Sequence, residues 1–160
     1  MTAQFVHLHV HSEYSLVDGT VKINALTSAA ADNDMPAVAL TDRGNLFGMV
    51  KFYKSAMGSG VKPIIGAEIW IRDQDDVNNP FSLVLLVKND IGYKNLTRLI
   101  SRSYVEGQHL GLAMVEYDWL TLEATDCLLY TSDAADDEYN VVWGGGGGGV
   151  KGGGGGGGGG

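Results

Sequence analysis

Two histidines, His9 and His11, and three carboxylates that follow at intervals, Asp18, Asp42 and Glu68, are the side chains of this sequence best suited to chemistry. On a strand, residues two apart project from the same side, so both imidazoles point one way near the C-terminal end of the segment 5–11, with Asp18 in the next loop. Imidazole nitrogens and carboxylate oxygens together suit a divalent metal ion. Asp42 and Arg43 directly follow a second apolar segment, and Glu68 stands late in a third. Parallel pairing of those segments would gather all of these groups at one rim, where the sites of α/β folds sit.

The elements that must hold them are legible as periods. Phe5 to His11 alternates Phe5, His7, His9 and His11 on one face with Val6, Leu8 and Val10 on the other, the pattern of a strand. Residues 36–41, 61–71 and 81–87 are short apolar segments that read as largely buried strands. Between them, residues 21–32 place Ile23, Leu26, Ala29 and Ala30 on one helical face, with Thr20 as the expected N-cap and Asp34 at the left-handed position that ends a helix. Residues 46–57 repeat the pattern with Met49, Val50, Tyr53 and Met57. Residues 92–105 turn Leu96, Leu99, Ile100 and Ser103 inward and Lys94, Arg98 and Arg102 outward, a stripe that reads as a solvated face. Such alternation predicts parallel βαβ units with right-handed crossovers. Four strands are too few to close a barrel, so the folding unit is expected to be cut short at its C-terminal end.

Composition sets the limits. Of 24 glycines in 160 residues, fifteen fall in 144–149 and 152–160, a run without side chains to bury. The foldable part is therefore expected at 1–126 and a non-native or disordered tail at 127–160. Residues 1–126 carry 15 acidic and 10 basic side chains, a balance unlike that of a free-standing nucleic-acid binder. Apolar runs such as residues 83–87 are far shorter than the roughly 18 residues of a membrane span. Histidines and Glu13 interrupt the start where a signal peptide would need an apolar stretch. The single cysteine, Cys127, excludes a disulfide framework and a thiolate zinc cluster. No membrane contact and a cytoplasmic location are the expectations.

Four stretches, HLHVHSEYSLVDG at 7–19, ALTDRGNLFGMVKFY at 39–53, GVKPIIGAEIWI at 60–71 and GYKNLTRLIS at 92–101, resemble the N-terminal PHP domain of the bacterial replicative DNA polymerase III alpha subunit. The resemblance runs nearly continuously from Phe5 to about Asp126. It implies an α/β fold, the N-terminal and incomplete part of a distorted TIM-like (βα) barrel, with metal ligands at the C-terminal rim. It assigns that role to His9, His11, Asp18 and Glu68, with Asp42 and Arg43 on the rim. One departure stands out: the position after Thr41-Asp42 is usually His when such a site is metallated, and here it is Arg43. A guanidinium has no lone pair for a metal and adds a positive charge beside the ligands. Arg43 is thus expected to pair with Asp18, Asp42 or Glu68 and to leave the Zn²⁺ or Mn²⁺ site degenerate. His7 reads as packing or as support for the ligands, His109 has no role, and Trp70, Tyr93 and Trp119 read as core or docking aromatics.

Beyond residue 120 the family's pattern gives way to TDCLLYTSDAADDEYNVVW, part of which looks like translated sequencing-adapter read-through, followed by polyglycine. The resemblance implies a fragment whose parent carries out template-directed DNA synthesis with Mg²⁺ held outside this chain. No catalytic residue is expected within the fragment. The implied partners are the proofreading exonuclease subunit and other replicative holoenzyme subunits, with DNA bound through the missing regions. The alternative is a standalone metal-dependent phosphoesterase of the PHP type.

Overall fold

The computed structural model describes residues 5–130. In chain order these form α1 (Ile23–Asp32), β1 (Ala37–Leu40), α2 (Met49–Gly58), β2 (Lys62–Ile71), β3 (Phe81–Val87), α3 (Asp90–Glu106), β4 (Gln108–His109), β5 (Leu112–Val115), α4 (Tyr117–Glu123) and β6 (Cys127–Tyr130). The sheet is assembled on β2, which is long enough to take different neighbours along its length. Lys62 to Ile65 pair in parallel with β1, and Gly66 to Ile71 pair antiparallel with β3. Trp70 and Ile71 also pair in parallel with β5. β4 returns onto β5, and β6 joins β3, both antiparallel.

The expected parallel order holds for β1, α2 and β2, and β5, a strand beyond those expected, also runs parallel to β2. The expected order fails at β3. A parallel return needs a crossover of roughly a dozen residues or more, whereas the link between β2 and β3 is the short polar stretch 72–80. There Asp73 accepts from the amide of Asp75 (2.8 Å) and Asp76 from that of Asn78 (3.1 Å), which folds the link into a turn.

Strand alternation sorts the core. Val38 and Leu40 of β1 pack with Ile23, Ala30, Phe52 and Ala56 beneath α1 and α2. Ala67, Ile69, Ile71, Leu83 and Leu85 pack with Leu96 and Leu99 of α3 and with Leu120. The intervening residues Ala39, Val84 and Leu86 form a separate cluster with Leu8 and Ile64 on the face turned away from the helices. Glu68 shares the parity of Ile64 on β2 and so belongs to that helix-free face.

The segment 5–11 is extended beside β1 but does not form the expected regular strand. The amide of Ala39 donates to His7 O (2.8 Å) and that of Thr41 to Val10 O (2.9 Å), so three residues of the segment match two of β1. This bulge-like slip breaks the alternation: Leu8 packs on the helix-free cluster while Val10 packs on the α1–α2 core.

Helix boundaries show similar local causes. Thr20 does not cap α1; the amide of Glu13 donates to Val21 O (2.9 Å), which keeps the chain extended as far as Lys22, the N-cap, where no side chain caps the helix. At its other end Asp34 has φ 55°, as expected, with Met35 N bonded to Ala30 O (2.9 Å) and Asp34 N to Ala31 O (3.0 Å). α2 starts at Met49, later than expected, and α3 starts earlier than expected because Asn89 Oδ1 accepts from the amides of Ile91 and Gly92, each at 3.0 Å. Four residues past the boundary expected at Asp126 form β6, entered through Asp126 with φ 61°. The remainder of the expected tail lies outside the described residues. Among the described residues no helix is long and apolar enough to cross a membrane.

Candidate functional site

The rim of the site is built where β1 ends. The Thr41 hydroxyl accepts from Val10 N (2.9 Å) and donates to Val10 O (3.1 Å), which fixes the residue between the two histidines. Beyond Thr41 the chain continues alongside β2: the amide of Glu68 donates to Asp42 O (3.2 Å) and that of Gly44 to Glu68 O (2.7 Å). Arg43 and Glu68 therefore face each other as a parallel bridge.

Around that bridge five predicted residues converge. His11 Nε2 lies 2.6 Å from Glu68 Oε2, and His9 Nε2 lies 3.4 Å from the same oxygen. The two Nε2 atoms are 3.3 Å apart and the rings meet edge to face. Arg43 places Nη2 3.3 Å from Glu68 Oε1 and 3.2 Å from Oε2, with Nε 3.3 Å from Oε2. Its Nη1 forms an ion pair with Asp18, whose carboxylate also lies 4.0 Å from His11 Nδ1. The guanidinium carbon sits 4.8 Å from the centroid of the Trp70 ring.

Glu68 is the buried hub, with its side chain 3% exposed. Burial alone would raise its pKa, but hydrogen bonding from His11 and Ser82 and the charges of Arg43 and His11 outweigh it and bring the carboxyl down to about 2. The group is thus anionic at neutral pH, as a ligand or a salt-bridge partner must be.

Asp42 does not join this cluster. Its carboxylate is buried and accepts from Ser12 N (2.6 Å) and Ser12 Oγ (2.8 Å), which pins the residue directly after His11. Of the three acidic partners expected for Arg43, only Asp18 and Glu68 are used. The sequence reading missed Ser12, and also Ser15 and Asn45. Ser15 Oγ accepts from Arg43 N (3.2 Å), and Asn45 Nδ2 donates to Tyr14 O and Arg43 O (both 3.0 Å). Together they clamp the loop 12–19 onto the chain after β1. The loop folds tightly enough that a Cβ on Gly19 would collide with Ser12 O. The paired serines and Asn45 lie inside the quoted stretches, but short polar side chains carry no periodic signal that separates a clamp from a solvated loop.

Other expectations fall outside the cluster. His7 is exposed and meets Phe5 edge to face. His109 Nε2 lies 3.3 Å from Asn78 Oδ1. Trp70 is a platform for Arg43, which core or docking roles did not anticipate. Lys94 and Arg98 are exposed, while Arg102 Nε donates to Glu106 (2.9 Å) and stacks on Trp119 at 4.0 Å.

His9, His11 and Glu68 each offer a ligand atom within 4.8 Å of the others, donor types that a divalent ion takes, but the Glu68 carboxylate is already held by Arg43. A multi-metal set does not fit. Arg43 supplies a cation beside this group, and Asp18 is engaged by that cation.

A family model for the PHP domain matches residues 7–145. DNA polymerase III subunit alpha of Pseudomonas fluorescens is 49% identical over 139 residues, covering 86% of this chain and 12% of that protein. The subunit of the same name from Pseudomonas aeruginosa is 49% identical over 138 residues, again covering 86% of this chain and 12% of the relative. The chain therefore spans only a small part of the length of the curated relatives it matches. Among solved structures, a Bifidobacterium adolescentis protein described as a metal-dependent phosphoesterase superposes with a TM-score of 0.52 at 18% identity, over 64% of this chain and 34% of that one. That likeness is one of fold. With the family match running through β1, β2 and every residue of the cluster, the chain belongs to the PHP domain family.

Proposed function

We propose that this chain is part of a replicative DNA polymerase III alpha subunit and that its PHP portion is structural, docking the proofreading exonuclease subunit. The identity to alpha subunits supports the parentage. The parent performs template-directed DNA synthesis with Mg²⁺ bound elsewhere, contacts DNA through regions beyond this chain, assembles with the other holoenzyme subunits and works in the cytoplasm. His9, His11, Asp18 and Glu68 are the remnant of a metal site for Zn²⁺ or Mn²⁺, and Asp42 and Arg43 are its rim.

One observation carries the structural reading of the site: the Arg43 guanidinium lies on both Asp18 and Glu68. Hydrolysis at a metal centre needs vacant coordination positions for water and substrate. Here both carboxylates that would hold the metals are already engaged by one side-chain cation.

The second reading, a standalone phosphoesterase, draws on the convergence of His9, His11 and Glu68. An assay of p-nitrophenyl phosphate hydrolysis with added Mn²⁺ or Zn²⁺ separates the two. The structural reading predicts turnover no greater than that of His9→Ala or Glu68→Gln protein. Turnover that either substitution abolishes would establish the phosphoesterase instead.

A further inference from the structure

We propose that Arg43 is the resident cation of this site, taking the place of a metal between Asp18 and Glu68 and keeping divalent ions out of the His9–His11–Glu68 group. The inference deepens the structural reading above and rests on it.

Two carboxylates from distant parts of the chain, one on the loop 12–19 and one in β2, are joined through a single positive group. That is the structural work of a bridging metal, done here by a planar fork whose donors match carboxylate oxygens. The fork is held in place from several directions. Its own amide donates to Ser15 Oγ (3.2 Å), its main chain is bridged to Glu68, and its guanidinium rests on Trp70. It is therefore a built part of the site and not a surface side chain that has folded over it.

The same contacts exclude a metal. Glu68 Oε2 already accepts from Arg43 Nε and Nη2 and lies 2.6 Å from His11 Nε2, so an ion would have to displace these partners to reach it. It would also have to settle beside a charge that cannot be lost by deprotonation. An imidazole at position 43 would reverse both effects, since it offers a lone pair and titrates to neutrality.

Zn²⁺ uptake by the full 160-residue chain, measured by equilibrium dialysis and metal analysis, tests this. The unchanged chain should retain no more Zn²⁺ than Glu68→Gln. Arg43→His should retain one additional equivalent, at least about tenfold more tightly, and should lose it when Glu68→Gln is added. Arg43→Gln, which removes the charge with a shorter neutral side chain, supplies a second reading and should take up more Zn²⁺ than the unchanged chain. The proposal is overturned if the unchanged chain already holds an equivalent that Glu68→Gln removes, or if neither position-43 variant exceeds it. Metal uptake can fail in this way while the polymerase parentage stands, because that is read from the gene.

Discussion

Arg43 and Glu68 are joined twice, once through the main chain as a parallel bridge and once through side chains, with the guanidinium 3.2–3.3 Å from both carboxylate oxygens. The double connection ties the chain after β1 to the middle of β2. Removing the side-chain half leaves a buried carboxylate without its cation.

Arg43→Ala should therefore destabilise the chain by about 2 kcal/mol, below the full cost of breaking a buried pair because Arg43 is partly solvated. Arg43→Lys keeps the charge but not the fork and should lie between the two. Urea midpoints of the three proteins give the ranking, and an Arg43→Ala midpoint equal to that of the unchanged chain would contradict it.

Asp42 and Ser12 form a second tie, buried and away from the cluster. Ser12→Ala deletes the hydroxyl donor to Asp42 Oδ2 and should cost about 1–3 kcal/mol. Amide hydrogen exchange should quicken in the loop 12–19, while α3, whose buried face packs on β2 and β3, keeps its protection. Unchanged exchange in the loop would show that the tie carries no stability.

Cys127 makes a pH-dependent contribution. Burial, with Asp126 nearby, pushes its thiol up to about 11 from 9.0. A folded pKa above the unfolded one means that the contribution is complete below pH 9 and is lost as pH rises from 9 to 11, by at most about 3 kcal/mol. Stability of the unchanged chain should fall more steeply across that window than that of Cys127→Ala. Parallel pH profiles would refute the assignment.

Gly92 lies in the first turn of α3, where a Cβ would collide with Asp126 O, while Cys127 Sγ donates to Gly92 O at 3.5 Å. Alanine usually stabilises a helix over glycine. Here Gly92→Ala should instead lower the melting temperature, by several degrees for a loss of about 1–2 kcal/mol. A rise would mean that the entry to β6 can move aside.

Burial imposes periods that make β3 and α3 readable from the residues, but not α2, where Val50, Tyr53 and Met57 of the expected face are exposed and Phe52 and Ala56 are the buried residues. β3 occupies the expected segment 81–87, and Leu96, Leu99, Ile100 and Ser103 are the buried face of α3. The direction of β3 was not readable from its own residues, because an apolar strand reads the same either way and the length of the preceding link decides. The slip beside β1 was hidden as well, since an alternating run does not show where one residue is left unpaired. For the site, residue type and strand position brought His9, His11, Asp18, Arg43 and Glu68 together. They could not show that Asp42, next to Arg43, serves Ser12, because neighbouring residues on an extended chain project to opposite sides.

Reading the genomic DNA that encodes this chain through codon 130 and onward tests the central claim most directly. The account predicts one open frame that continues through further barrel strands into a polymerase region with clustered acidic residues. A frame that completes the barrel and then stops would contradict it, and would leave a freestanding PHP protein in which Arg43 is the residue to explain.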